Sequence, residues 1–593
     1  MGGIRKAFEV SVGLALLLAA SNPLFSQNFS VVTQSGVEAK MRDGTVLRAD
    51  IYRPNADGKF PVLLQRTPYD KRNEAGFAIK AVERGFVVVV QDVRGRYTSE
   101  GEWYPFKNES NDGYDTVEWA AALPSSNGKV GMFGGSYVGA TQMLTAIAHP
   151  PHLAGLCPVV TASNYHDGWT YQGGAFEQWF NESWTSGLAQ DTLDREVLRN
   201  TNAVNGMWTT PLSEYPLFKL PKAEADSELS RTLAPYFRDW LAHPDYDDYW
   251  KRWSIEEHYT EINVPILSVA AWYDIFLGGS LRNYVGIKEF GASEVARKGQ
   301  RLMVTIGGHA GSGRKIGDID FGPSAEFDED AVILDWYDFL FKGATNKFSS
   351  PKPVKLFVMG ANQWRDEDDW PLPRAHEVKY FLHSSGKANS VRGDGALDTT
   401  MPRKEAPDHY KYDPTNPAPT IGGPLCCDGK HLKPGPRDQR PVEARDDVLI
   451  FSTPAMSQDT EVTGPVRIEL FASSSAVDTD FLAKLVDVGP DGFAQNLTEG
   501  IVRARYRDSQ EHPALMNPDQ IYKFSIDMWA TSNVFKKGHR LRLEVSSSNF
   551  PRFDRNLNTG EEPAFATKSI PATNSIYHDA DHPSVLIVQI VTQ

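Results

Sequence analysis

Cysteine is nearly missing from this chain: Cys157, Cys426 and Cys427 are the only three in 593 residues. Three cannot build a disulfide framework. No C-x-x-C pair or histidine cluster accompanies them, which argues against a structural metal site. Cys426 and Cys427 are neighbours, so they form either a vicinal disulfide or two thiols, and a structural role is expected for them. Positive charge is also in deficit. Lys and Arg number 61 against 76 Asp and Glu, a net charge of -15. That balance argues against nucleic acid or an anionic membrane as partner. Long apolar runs are absent past the N-terminus, where no segment reaches the roughly 18 uninterrupted apolar residues of a spanning helix.

What is present fits a soluble globular protein, with 41% hydrophobic and 23% charged residues. At about 150 residues per domain, the length suits two to four domains. The N-terminus differs from the rest. Arg5 and Lys6 precede an apolar run from Val10 to Ala20, which ends near Leu24-Phe25-Ser26-Gln27. This reads as a signal peptide over residues 1–26, with Glu9 as an atypical charge. The expectation is a secreted or periplasmic protein with no membrane contact after cleavage. Whether its copies form a homo-oligomer is not set by the residues.

From Lys59 to about Thr345, short apolar runs alternate with helix-like stretches. Phe60–Gln65, Phe86–Gln91, Val130–Phe133, Ile266–Ala270 and Leu302–Ile306 read as buried strands of a parallel sheet, and Tyr114–Leu123 as a helix between them. The class is α/β with right-handed crossovers. Between about 163 and 258 the strand signal fades and Trp, Tyr and Phe accumulate. An insertion of that length exceeds an ordinary connection and reads as a helical cap. Ser349-Ser350-Pro351-Lys352-Pro353 reads as a linker. Beyond it, alternating Val466–Ala472 and Arg540–Val545 and the apolar Val585–Val591 suggest an antiparallel β-sandwich. The expected organisation is a catalytic domain over 27–348, with the cap at 163–258, and a jelly-roll domain over 349–593.

The chemistry centres on Gly134-Gly135-Ser136-Tyr137-Val138-Gly139, which follows the Val130–Phe133 run. A serine on a tight strand-to-helix turn is how an α/β-hydrolase exposes a nucleophile. The usual G-x-S-x-G is altered, because the second glycine arrives one residue late. A serine hydroxyl needs a base, and the base needs an acid to orient it. In this fold the chain order is Ser, acid, His. Asp274 follows the strand-like Ile266–Ala270, and His309 follows Leu302–Ile306. The backbone N–H of Tyr137 is one oxyanion donor by construction. Tyr69, after the first buried strand, is either a second donor or an ordinary turn aromatic.

Pro68-Tyr69-Asp70-Lys71, Gln91-Asp92-Val93-Arg94-Gly95-Arg96, Gly134-Gly135-Ser136-Tyr137-Val138-Gly139, Trp272-Tyr273-Asp274 and Gly308-His309 together resemble the CocE/NonD hydrolases. That group includes cocaine esterase, α-amino acid ester hydrolases, glutaryl acylases and X-Pro dipeptidyl-peptidase relatives. Pro490-Asp491-Gly492 and Gly538-His539-Arg540-Leu541-Arg542 resemble the family's jelly-roll domain. The resemblance implies Ser136 as nucleophile, Asp274 as acid, His309 as base, and Tyr69 with the Tyr137 amide as oxyanion hole. It implies acyl transfer to water on a small-molecule ester or amide, with no metal and no organic cofactor. Arg94 and Arg96 are matched as well, and their loop reads as structural.

The α-amino acid ester hydrolases carry a carboxylate cluster for the substrate ammonium. Here Asp274 is followed by apolar Ile275-Phe276-Leu277, and Thr170-Tyr171-Gln172-Gly173-Gly174 stands where paired acids are expected. A free α-amino group therefore finds little to hold it. Trp169, Trp184 and Phe276 are candidates for an apolar acyl pocket, with cap-core packing as the alternative for each Trp. Three functions remain: a serine esterase or amidase for uncharged acyl groups, an X-Pro dipeptidyl-peptidase-type aminopeptidase, and a polymer-binding protein with an idle hydrolase half.

Overall fold

A computed structural model describes residues 29–195, 233–309, 313–562 and 564–592. The expected signal peptide and the 196–232 part of the expected cap lie outside the described residues. Among the described residues no helix is long and apolar enough to cross a membrane.

The first sheet has ten strands. β1 (Val31–Lys40) and β2 (Val46–Pro54) form an antiparallel edge. β3 (Phe60–Thr67), β4 (Val87–Asp92), β5 (Ser126–Gly135) and β6 (Leu153–Val159) are parallel to one another. Two short strands, β7 (Tyr171–Gln172) and β8 (Ala175–Phe176), form a separate hairpin. β9 (Leu267–Tyr273) and β10 (Arg301–Gly308) rejoin the sheet. β11 (Lys315–Ile316) and β12 (Ile319–Asp320) pair as a second small hairpin, and β13 (Val354–Val358) and β14 (Gln363–Glu367) close the far edge. The order is β1-β2-β4-β3-β5-β6-β9-β10-β13-β14. Runs such as Val87-Val88-Val89-Val90 are buried on both faces, which is why they carry no polar alternation. β3, β5, β9 and β10 end at one edge, so the segments after them converge there.

The helices that cover the sheet include α1 (Ala75–Glu83), α2 (Glu109–Ala121) and α3 (Tyr137–Ile147). Every residue of α3 is buried. After β6 the chain leaves the sheet. The cap stretch holds the β7–β8 hairpin, α4 (Gln178–Leu193) and the helix Pro235–Ala242. The hairpin departs from the expected all-helical insertion. Its turn glycines, Gly173 and Gly174, have φ of 55° and 85°. A Cβ on them would sit 2.0 Å from the Ile501 carbonyl oxygen and 2.1 Å from the Tyr506 ring. Only glycine lets this turn plug into the second sheet.

That second sheet has eleven strands and folds as the sandwich. Its long strand Thr460–Ser474 pairs with Tyr522–Phe535 and Val585–Val591, and Asp480–Val488 pairs with Ala494–Arg503 and Arg540–Ser546. The expected split at 348/349 does not coincide with a sheet boundary. β13 continues β10 in parallel, so the catalytic sheet runs on to Glu367. The Pro-rich segment leads directly into β13 of that sheet. Cys426 and Cys427 are joined to each other, and Cys157 is a buried thiol.

Candidate active site

Ser136 caps α3 with φ 61° and ψ -128°, a backbone conformation rarely open to a side-chain-bearing residue. Two glycines make the turn possible. Gly134 has φ 122°, and a Cβ there would lie 2.4 Å from Val138 Cγ1. A Cβ on Gly139 would lie 2.7 Å from Thr161 Cβ. This is the reason for the late glycine: it admits Thr161, whose hydroxyl donates to the Ser136 carbonyl at 3.0 Å.

The structure brings Ser136, Asp274 and His309 together. His309 Nε2 lies 2.8 Å from Ser136 Oγ, and His309 Nδ1 lies 2.6 Å from Asp274 Oδ1. Asp274 is fully buried, and its Oδ2 accepts from the Phe276 backbone N–H at 2.9 Å. An ionised carboxylate can only accept, so the Nδ1 hydrogen points at Asp274. That tautomer leaves Nε2 free to accept the Ser136 hydroxyl proton.

Tyr69 lies just past β3, beside the Ser136 side chain and the Tyr137 backbone N–H. Its phenolic oxygen accepts from Trp184 Nε1 at 2.9 Å. Burial pushes the phenol pKa up, although Trp184, Ser136 and the Arg96 charge pull the other way. The phenol therefore stays protonated. Two motif loops fix its position. Asp92 accepts from the Lys71 backbone at 2.9 Å and from Lys71 Nζ at 3.1 Å, and Arg96 donates to the Pro68 carbonyl at 3.0 Å. Arg94 binds Asp112 through two nitrogens at 2.9 and 2.6 Å.

The three apolar candidates have different surroundings. Phe276 stacks on Trp169 at 4.4 Å and 7°. Its edge meets the His309 ring at 5.0 Å. Both Phe276 and Trp169 are 1% exposed. Trp184 meets Trp169 edge-on at 5.7 Å while it binds Tyr69. One anchor escaped the sequence. The Tyr137 hydroxyl donates to Glu109 Oε1 at 2.9 Å, and Glu109 pairs with Arg66 at 2.6 Å. This buried pair pins the residue whose amide faces the site. An acid in the first turn of α2 carried no signal for it.

An α/β sheet with a serine, histidine and aspartate converging at its strand ends defines a serine-type hydrolase. Residues 43–311 match the X-Pro dipeptidyl-peptidase (S15 family) pattern, and residues 346–587 match the X-Pro dipeptidyl-peptidase C-terminal non-catalytic domain. The chain is 39% identical over 591 residues to cocaine esterase from Rhodococcus sp. (strain MB1 Bresler), covering 95% of this chain and 99% of that one. The protein belongs to the CocE/NonD family of hydrolases. Among solved structures, an aminopeptidase from the marine sediment archaeon Thaumarchaeota archaeon is similar, with TM-score 0.80, 26% identity and coverage of 98% and 100%. An α-amino acid ester hydrolase shares the fold, with TM-score 0.76, 22% identity and coverage of 98% and 100%.

Proposed function

We propose that this protein hydrolyses esters or amides of uncharged, apolar acyl groups through an acyl-enzyme on Ser136. His309 takes the Ser136 proton as Oγ attacks the acyl carbonyl carbon. The Tyr69 hydroxyl and the Tyr137 amide hold the oxyanion, each donor worth about 3 kcal/mol. His309 then passes the proton to the leaving alcohol or amine, and water repeats the cycle to release the acid. A secreted or periplasmic location is part of the same proposal, supported by Arg5 and Lys6 ahead of the Val10–Ala20 run. N-terminal sequencing of the mature protein tests that part.

The observation that carries the acyl preference is the Trp169–Phe276 stack against the His309 ring. The nearby acids are already engaged. Asp167 accepts from the Gly173 N–H at 3.1 Å and faces Arg282 at 3.6 Å, Glu109 is held by Arg66, and Asp191 accepts from the Tyr97 N–H at 3.0 Å. Among the described residues this leaves little to bind a substrate ammonium. A second reading, an X-Pro dipeptidyl-peptidase, is favoured by one observation: both halves of the chain match that family's pattern. Wild type and Ser136→Ala assayed on p-nitrophenyl acyl esters, a glutaryl amide and an X-Pro anilide separate the readings. Ser136-dependent turnover of the esters is expected. Turnover of the anilide alone would overturn the esterase reading.

A further inference from the structure

The helix Leu277–Phe290 starts beside the site and turns another face to the sandwich. Between this helix and the strand Tyr522–Phe535 lies a groove of about 370 Å³. Its walls are apolar, with Leu281, Val285 and Phe290 on one side and Trp370 and Trp529 on the other. Phe290 is 53% exposed at its rim. Ser136, Asp274, His309 and Tyr69 do not line it. Trp529 is unusual, because a bulky residue sits there at φ 59°. Its backbone N–H donates to Asp527 Oδ1 at 2.8 Å. A Cβ on Gly278 would lie 2.7 Å from the Trp529 indole, so glycine is needed for this close contact.

The polar groups of the groove are unbalanced. Arg282 is its one cation, and it is taken by Glu256 at 2.7 Å and Asp167 at 3.6 Å. Asp527 and Glu289 also line the groove. Among the described residues neither has a basic side chain within 4.0 Å. Burial by the surrounding walls pushes the Asp527 carboxyl up, against the more distant pull of Arg282. An anion entering here would face Asp527, Glu289 and Glu256, and Arg282 is already bound. A neutral ring would leave the Asp527 carboxylate unpaired beside apolar surface. A cation with an apolar ring answers both demands.

We propose that this groove is a second ligand site that binds a small arylalkylammonium ion, with its ring between Val285 and Trp529 and its ammonium at Asp527. Calorimetric titration of the full chain with benzyltrimethylammonium, and separately with benzoate, tests it. Saturable binding of the cation is expected, with no binding of benzoate. Asp527→Asn should weaken binding by about tenfold or more, as expected for loss of a charge-assisted contact. Val285→Arg, a partly buried helix position, should abolish it by bulk and like charge. That variant should turn over p-nitrophenyl butyrate as wild type does, which shows an intact fold. No saturable binding to wild type, benzoate bound as tightly as the cation, or equal cation binding in wild type and Val285→Arg would overturn the proposal. The readout is binding alone, so it stands or falls apart from the hydrolytic reading.

Discussion

The indole N–H of Trp184 donates to the phenolic oxygen of Tyr69 at 2.9 Å. This contact links the cap helix α4 to the loop after β3. It fills an acceptor position on the phenol and leaves the hydroxyl hydrogen free to point at the site. Trp184, expected as a substrate contact, therefore also acts on the geometry of Tyr69.

Tyr69→Phe should lower kcat by roughly ten- to a thousandfold with a smaller change in KM, as for one lost oxyanion donor. Trp184→Phe keeps the aromatic packing and should lower kcat several-fold only. In a Tyr69→Phe background, Trp184→Phe should add almost nothing. Steady-state kinetics of the four proteins check this, and an equal loss in both backgrounds would detach Trp184 from Tyr69.

Phe276→Asp should raise kcat/KM for α-aminoacyl esters relative to butyryl esters by at least about tenfold, because it supplies an anionic partner for the ammonium. It should also lower the melting temperature, since an acid replaces a ring that is 1% exposed. An unchanged ratio of the two kcat/KM values would remove Phe276 from the acyl pocket.

Arg552 joins the cap to the sandwich. It pairs with Glu499, reaches Glu177 at 3.2 Å and donates to Gln172 Oε1 at 2.9 Å. Arg552→Ala leaves the buried Glu177 carboxylate without its cation and Glu499 with only Lys484 at 4.0 Å, and should cost about 3–5 kcal/mol. Denaturant titration of wild type and variant measures it.

Stability should fall as pH rises toward 8. Burial pushes the Glu544 carboxyl up to about 8, with Lys484 opposing and Glu443 adding to the shift. Its folded value lies above its unfolded one, so the neutral acid stabilises the fold at low pH. That contribution is lost as pH climbs from about 4.5 through about 8. His578 acts in the same direction. Burial alone would lower its pKa, but Asp408 at 2.8 Å and Glu405 at 3.2 Å outweigh that and raise it above 6.5. Thermal melts from pH 5 to 8.5 should show a declining midpoint, and Glu544→Gln should flatten the profile.

Strand ends were the legible part of the sequence. The runs before Ser136, Asp274 and His309 are apolar without alternation, so their burial and the class of the sheet followed from pattern. The β7–β8 hairpin was not legible, because two-residue strands carry no period. The reach of the catalytic sheet to Glu367 was hidden as well, since a Pro-rich connection looks alike inside a sheet and between domains. Only the family resemblance singles out Tyr69 as the second oxyanion donor; the residues alone leave it an ordinary turn aromatic. Its partner Trp184 lies 115 positions away, and the Glu109–Arg66 anchor of Tyr137 joins residues 43 apart. Such pairs are set by tertiary packing, which local pattern does not encode.

The most direct test of the central claim is intact-protein mass spectrometry after acid quench of a reaction with p-nitrophenyl butyrate. The account predicts one butyryl adduct on wild type, mapped to the peptide containing Ser136, and none on Ser136→Ala. An adduct of equal yield on Ser136→Ala, or adduct mapped to another residue, would contradict it.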